Sequence, residues 1–121
     1  MLQAFKAELF KALGHPVRIR ILEILRTGEQ TVSDLQRELG IEMSSVSQQL
    51  AVLRARRLVA AHRVGTSGYY QVVDPQVFQL LDVARAIFNQ HLVDMQAMAD
   101  TDDDPLSTAD ASAEAGGQAA P

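Results

Sequence analysis

Cysteine and tryptophan are both missing from this 121-residue chain, and its aromatics are two tyrosines and four phenylalanines. Without cysteine there is no disulfide framework, no thiolate zinc site and no cysteine nucleophile. No stretch of about 18 apolar residues occurs, so no membrane span is expected. The opening residues, Met1-Leu2-Gln3-Ala4-Phe5-Lys6, lack the basic region and long apolar run of a secretory signal, which predicts a cytoplasmic protein. There is no glycine-rich phosphate loop, no recognisable Ser/His/Asp spacing and no carboxylate pair in an expected pocket, so an enzyme is not expected. What is present is 47% hydrophobic residues, enough to pack one core in one domain.

The net charge of −4 hides an uneven distribution. Asp100, Asp102, Asp103, Asp104, Asp110 and Glu114 crowd the C-terminal stretch, which has no base. Residues 100–121 carry almost no large apolar side chain and cannot offset their ordering entropy, so they are expected to form a disordered acidic tail behind a folded domain at 1–99. The rest of the chain is slightly basic. Arg54, Arg56, Arg57 and Arg63 lie in a stretch without an acid, the local concentration that a phosphate-binding surface needs.

Periodicity predicts a mainly α protein with a small β-hairpin. Leu2, Phe5, Leu9 and Leu13 recur on one helical face before Gly14. Pro16 opens a second helix to about residue 26, apolar nearly all round and therefore central. Thr31-Val32-Ser33-Asp34 reads as a capping box before a short helix closed by Gly40. After Ile41-Glu42, Ser44 or Ser45 is expected to cap a helix running to about Arg57, with Val46, Leu50 and Leu53 inward. Val59–Val64 and Tyr69–Val73 are β-prone runs flanking a Gly65-Thr66-Ser67-Gly68 turn. Asp74-Pro75 opens a last helix with Val77, Leu80, Leu81, Ala84, Ile87, Phe88, Leu92 and Met95 along one side.

Residues 31–57 have the spacing of a helix-turn-helix. With Val46 facing the core, Ser44, Gln48, Ala51 and Ala55 point away and Ser47 lies on the flank. Glutamine can bond adenine in a bidentate way and serine can bond most bases, while alanines let a helix sit deep in a groove. Arg54, Arg56, Arg57 and Arg63 suit phosphates. Arg18 and Arg20 suit either phosphates or surface ion pairs. The hairpin would be a wing that brings Thr66 and Ser67 to the DNA backbone or minor groove. The five-turn apolar face of the last helix exceeds what one small domain can cover, which predicts a partner surface.

Phe10-Lys11-Ala12-Leu13-Gly14-His15-Pro16-Val17-Arg18-Ile19-Arg20-Ile21-Leu22 resembles the opening signature of the ArsR/SmtB family of bacterial repressors. Ser44-Ser45-Val46-Ser47-Gln48-Gln49-Leu50, then Leu53-Arg54 and Leu58-Val59, resembles its recognition helix. Gly65 to Tyr69-Tyr70-Gln71-Val72 resembles its wing. The likeness runs over residues 5–95 and implies a winged helix-turn-helix homodimer on a palindromic operator of double-stranded DNA. It implies joining through the first and last helices, here Leu2, Phe5, Leu9, Leu80, Ala84, Ile87, Phe88 and Leu92. Ser45 and Gln49 join the DNA-facing set by the same likeness. Gln49 stands where the family often has histidine, and its angle also allows it to brace the motif.

Many members of that family sense metals. The cysteine pair of one familiar site falls here at Thr31 and Ser33, which supply no thiolate. At the other, Asp74 fits the first position, but its companions fall at Gln76, Ile87 and Gln90. Soft-metal sensing is therefore not expected. His15 reads as a helix-junction residue, and His62 faces solvent or phosphate. His91 and Asp94 share a face of the last helix and could form a mixed nitrogen/oxygen site for nickel(II) or zinc(II) across a dimer. A second regulatory protein, or no ligand at all, are the other gates left open. The competing function is a winged-helix module for protein association without its own operator.

Overall fold

The computed structural model describes residues 1–101. Five helices and three strands follow in the order α1 (Leu2–Leu13), α2 (Pro16–Leu25), β1 (Gln30–Thr31), α3 (Val32–Leu39), α4 (Met43–Ala55), β2 (Val59–Val64), β3 (Ser67–Val72) and α5 (Gln76–Thr101). Met1–Phe78 form one compact unit and the helix from Gln79 onward a second.

The first unit is built around Ile21, Leu22, Leu35, Val46, Leu50, Leu53 and Val59, all essentially sealed from solvent. Burial of each such side chain contributes about 1.5–3 kcal/mol. His15 caps α2, its Nδ1 accepting from Val17 N at 3.2 Å, and Pro16 takes the first turn, where a missing N–H costs nothing. α2 is central, as its apolar character predicts: it packs against α1, α3, α4 and β3 and buries Ile21, Leu22 and Leu25, although Ile19 is left exposed.

The capping box of α3 is present as read: Asp34 N donates to Thr31 Oγ1 and Thr31 N to Asp34 Oδ2, both at 3.1 Å. Gly40 ends α3 at φ 68°, a left-handed conformation that costs glycine nothing. α4 starts earlier than expected, and neither Ser44 nor Ser45 caps it. Glu42 O already accepts from Ser45 N and Val46 N, so both serines fall inside the first turn. The helix also stops at Ala55, two residues short of the expected Arg57.

β1, β3 and β2 form an antiparallel sheet in that order, with His62 opposite Tyr69 and Arg63 opposite Gly68. The hairpin turn is tighter than its four-residue sequence signal. Ser67 and Gly68 belong to β3, and Gly65 at φ 63° allows a two-residue connection through Gly65-Thr66. β1 pairs only Gln30 with Tyr70 and Thr31 with Tyr69, too short a strand to show a period.

Asp74 Oδ1 accepts from Gln76 N at 2.9 Å at the entry to α5, as an N-cap does. Along the second unit, Ile87, Phe88 and Leu92 are exposed and Leu80 half-buried. Asp100 and Thr101 continue the helix, past the expected boundary at 99. The rest of the expected acidic tail lies outside the described residues.

Candidate nucleic-acid interface

α3, its glycine turn and α4 place two sets of side chains on opposite sides of α4. Val46, Leu50 and Leu53 are buried. Ser44, Ser47, Gln48, Ala51, Arg54 and Ala55 are exposed. Met43 is also exposed in the first turn, but the rest of the exposed set is small, polar or basic, which suits approach to base edges. Ser45 is half-buried at the flank.

Gln49 is turned toward the protein. Its Oε1 accepts from Arg18 Nη1 at 2.9 Å, and the same guanidinium donates to the carbonyls of Lys11 and Ala12. Arg18 thus serves carbonyls and an amide, neither phosphates nor the surface acids that its sequence position also suited. Arg20 Nη2 reaches Glu38 O at 3.4 Å.

Beyond α4 the backbone turns sharply. Arg57 adopts φ 59°, its N–H bonds Arg54 O, and Leu58 N–H bonds Leu53 O. This pair of bonds is the Schellman termination, with arginine where glycine is usual. The turn leads into β2, whose Ala61, His62 and Arg63 combine with Arg54, Gly68 and Tyr70 to line a concavity of about 250 Å³. Two arginines and a tyrosine are thus among the residues lining one recess between the end of α4 and the wing, and guanidinium groups are good partners for phosphate oxygens. Thr66 and Ser67 are exposed at the tip of the hairpin.

Two acids temper the basic surface. His62 Nε2 lies 3.2 Å from Glu29 Oε2, and its ring stacks on Tyr69 with centroids 5.9 Å apart. Arg56 Nη2 lies 2.6 Å from Glu8 Oε2 on α1. Sequence reasoning missed both pairs and the part played by Tyr70. The partners are far apart in the chain, and no local spacing signals them.

In the second unit, Asp94 Oδ1 accepts from Gln90 Nε2 at 3.0 Å, and His91 Nε2 is shielded from solvent without a hydrogen-bond partner. Among the described residues no three potential metal ligands of one protomer gather. No described helix is long and apolar enough to cross a membrane.

Known proteins share this architecture. The Mycobacterium tuberculosis HTH-type transcriptional regulator Rv0081 is 44% identical over 98 residues, covering 80% of this chain and 86% of that protein. The family model for bacterial regulatory proteins of the arsR family matches residues 15–61, the stretch holding α2, α3 and α4. The chain belongs to the ArsR family. The crystal structure of Rv0081 superposes with a TM-score of 0.71 at 45% identity, over 77% of this chain and 94% of that one. The homodimeric winged helix-turn-helix DNA-binding domain Mb0332 of Mycobacterium bovis superposes with a TM-score of 0.68 at 31% identity, over 75% and 84% of the two chains. A transcriptional repressor of Synechocystis, an SmtB homolog, is 42% identical over 74 residues, 61% of this chain and 56% of that protein. The ArsR-family chain is thus a winged helix-turn-helix, DNA-binding transcriptional regulator, and not an enzyme.

Proposed function

We propose that the protein acts in the cytoplasm as a homodimer on a palindromic DNA operator. α4 reads bases through Ser44, Ser47 and Gln48, with Ser45 and Gln49 at its flank. Arg54, Arg57, Arg63, Thr66 and Ser67 hold the sugar-phosphate backbone. The observation that carries this reading is the exposed polar face of α4 running into the recess between Arg54 and Arg63. α1 and α5 supply the dimer surface through Leu2, Phe5, Leu9, Leu80, Ala84, Ile87, Phe88 and Leu92. Leu2, Phe5, Ile87, Phe88 and Leu92 are large apolar side chains left exposed by the protomer, which supports that role. Two-fold pairing sets two recognition helices about one DNA turn apart.

The test is fluorescence anisotropy of the pure protein, in chelator, against a duplex selected by the protein from a random pool and against a scrambled one. Selective binding, with a salt slope that drops by about one on Arg63→Ala, is the expected result. Weak, unselective binding would favour the association module instead.

A metal gate is the second reading, supported by the shielded and unpartnered Nε2 of His91. One protomer offers His91 and Asp94 only, so a nickel(II) or zinc(II) site needs both copies in the dimer. Repeating the titration with nickel and then zinc tests it. Operator binding that neither metal shifts points to a second regulatory protein or to no ligand.

A further inference from the structure

Four arginines lie between residues 54 and 63, and charge alone would assign all of them to phosphates. Geometry separates one of them. Arg56, the C-cap of α4, directs its Nη2 to Glu8 Oε2 on α1 at 2.6 Å, and that oxygen is shielded from solvent. The contact is an ion pair by distance without hydrogen-bond alignment. A second tie meets α4 at Gln49. Arg18 holds the last carbonyls of α1, at Lys11 and Ala12, and donates to Gln49 Oε1. Both carbonyls lie in the last turn of α1, where Lys11 O also accepts from the capping Gly14 N at 3.2 Å.

Gln49 and Arg56 are seven residues apart, roughly 10 Å along or just beyond α4. The core packing of α4 is against α2, α3 and β2, and two polar ties to α1 at that separation add restraints on its tilt. The side chains of Arg56 and Glu8 are 48% and 46% exposed, and a pair so exposed adds little to folding stability. Base readout depends on side-chain placement to within about 0.5 Å, so a weak tie that sets helix tilt acts on specificity more than on stability.

We propose that Glu8, Arg56 and Arg18 are positioning residues for DNA recognition, tying the recognition helix to α1 at two points. Arg56 belongs to this brace and is not a phosphate contact. The inference rests on the reading that α4 enters the major groove.

The experiment is a charge swap. Glu8→Arg, Arg56→Glu and the double variant are titrated against the duplex that the wild-type protein selects from a random pool, and against a scrambled duplex. Each single change is expected to lower the ratio of specific to scrambled affinity about three- to tenfold, and the double variant to recover most of it. Glu8→Arg adds positive charge, which by itself strengthens binding to both duplexes, so the specific affinity is read as well as the ratio: it is expected to fall despite the added charge. The double variant should keep the wild-type salt slope. A loss in Arg56→Glu that Glu8→Arg does not recover, with a slope smaller by about one, would make Arg56 a phosphate contact and overturn the proposal. Unchanged selectivity in both single variants would also overturn it.

Glu8→Gln, which keeps the shape of the side chain, is expected to melt within about 2 °C of wild type, a shift matching the small worth of an exposed pair. Amide hydrogen exchange across residues 53–58 reads the tie without DNA: faster in each single variant and restored in the double. Exchange that is not restored, with wild-type operator binding intact, removes the tie alone. A wild-type protein that selects no duplex removes the DNA reading and the positioning role with it.

Discussion

Arg18 Nη1 donates to Gln49 Oε1 at 2.9 Å, which gives the two consecutive glutamines of α4 different tasks. Gln48 is exposed on the face that carries Ser44 and Ala51, whereas Gln49 is half-buried. Gln48→Ala should cost roughly 1–3 kcal/mol of discrimination at one base pair, as loss of a bidentate contact does. Gln49→Ala should weaken the whole operator without changing preference at any single base pair. Binding measured on operators substituted one base pair at a time separates the two. Equal effects at one base pair would return Gln49 to the reading set.

Arg57 sits at φ 59°, the only non-glycine residue with positive φ among the described residues. A left-handed conformation costs an L-residue about 1–2 kcal/mol, and glycine gives back part of that in chain entropy. Arg57→Gly should therefore raise folding stability by roughly 0.5–1 kcal/mol in urea unfolding. It should also weaken binding to every DNA sequence and reduce the salt slope by about one. Strain kept where glycine would remove it points to a use for the charged side chain. A stabilised variant with unaltered DNA binding would leave the strain without that explanation.

The sequence carried the order of helices and the hairpin because these rest on local signals: periodicity, the Thr31 and Asp74 caps, and the glycines at 40 and 65. The outward set on α4 was legible too, since Val46, Leu50 and Leu53 define its buried side without reference to anything distant. What stayed hidden is non-local. β1 is two residues long and exists only through pairing with Tyr69 and Tyr70. The start of α4 was misplaced because serine is a common cap, yet here backbone bonding at Glu42 begins the helix one residue before Ser44 is reached. Arg18 with Gln49, Arg56 with Glu8 and His62 with Glu29 each join residues more than thirty positions apart, and in a single sequence those charges read as surface.

The capping box gives the domain an acid-sensitive element. The backbone N–H of Thr31 holds the Asp34 carboxyl below its ordinary value of 3.8, with the Thr31 side chain and the Arg37 guanidinium acting in the same direction. A depressed folded value means that the contribution is fully present above the ordinary value and is lost as pH falls through the lowered one. The stability gap between wild type and Asp34→Asn should be constant near neutral pH and close below 3.8. Thr31→Ala should cost about 1 kcal/mol at pH 7, the usual cost of losing an N-cap. Urea unfolding of the three proteins across this range checks both. A gap that widens on acidification would reverse the assigned sign.

Phe88 is 56% exposed between Ile87 and Leu92, which are themselves exposed, so a protomer alone leaves this stretch of α5 in water. Phe88→Asp adds a charge that pairing would have to bury unpaired, a cost of several kcal/mol, while leaving the protomer core of Ile21, Leu50 and Leu53 untouched. Sedimentation velocity should show the wild type at twice 13.2 kDa and the variant at 13.2 kDa. Operator affinity should fall by roughly a hundredfold or more, because the second half-site no longer benefits from tethering to the first. Affinity for a duplex holding a single half-site should stay near the wild-type value per protomer, since α4 and the wing lie in the other unit. A variant that remains dimeric and binds the full operator normally would place the dimer surface elsewhere. A variant that also loses the half-site would instead tie α5 to the folding of the reading head.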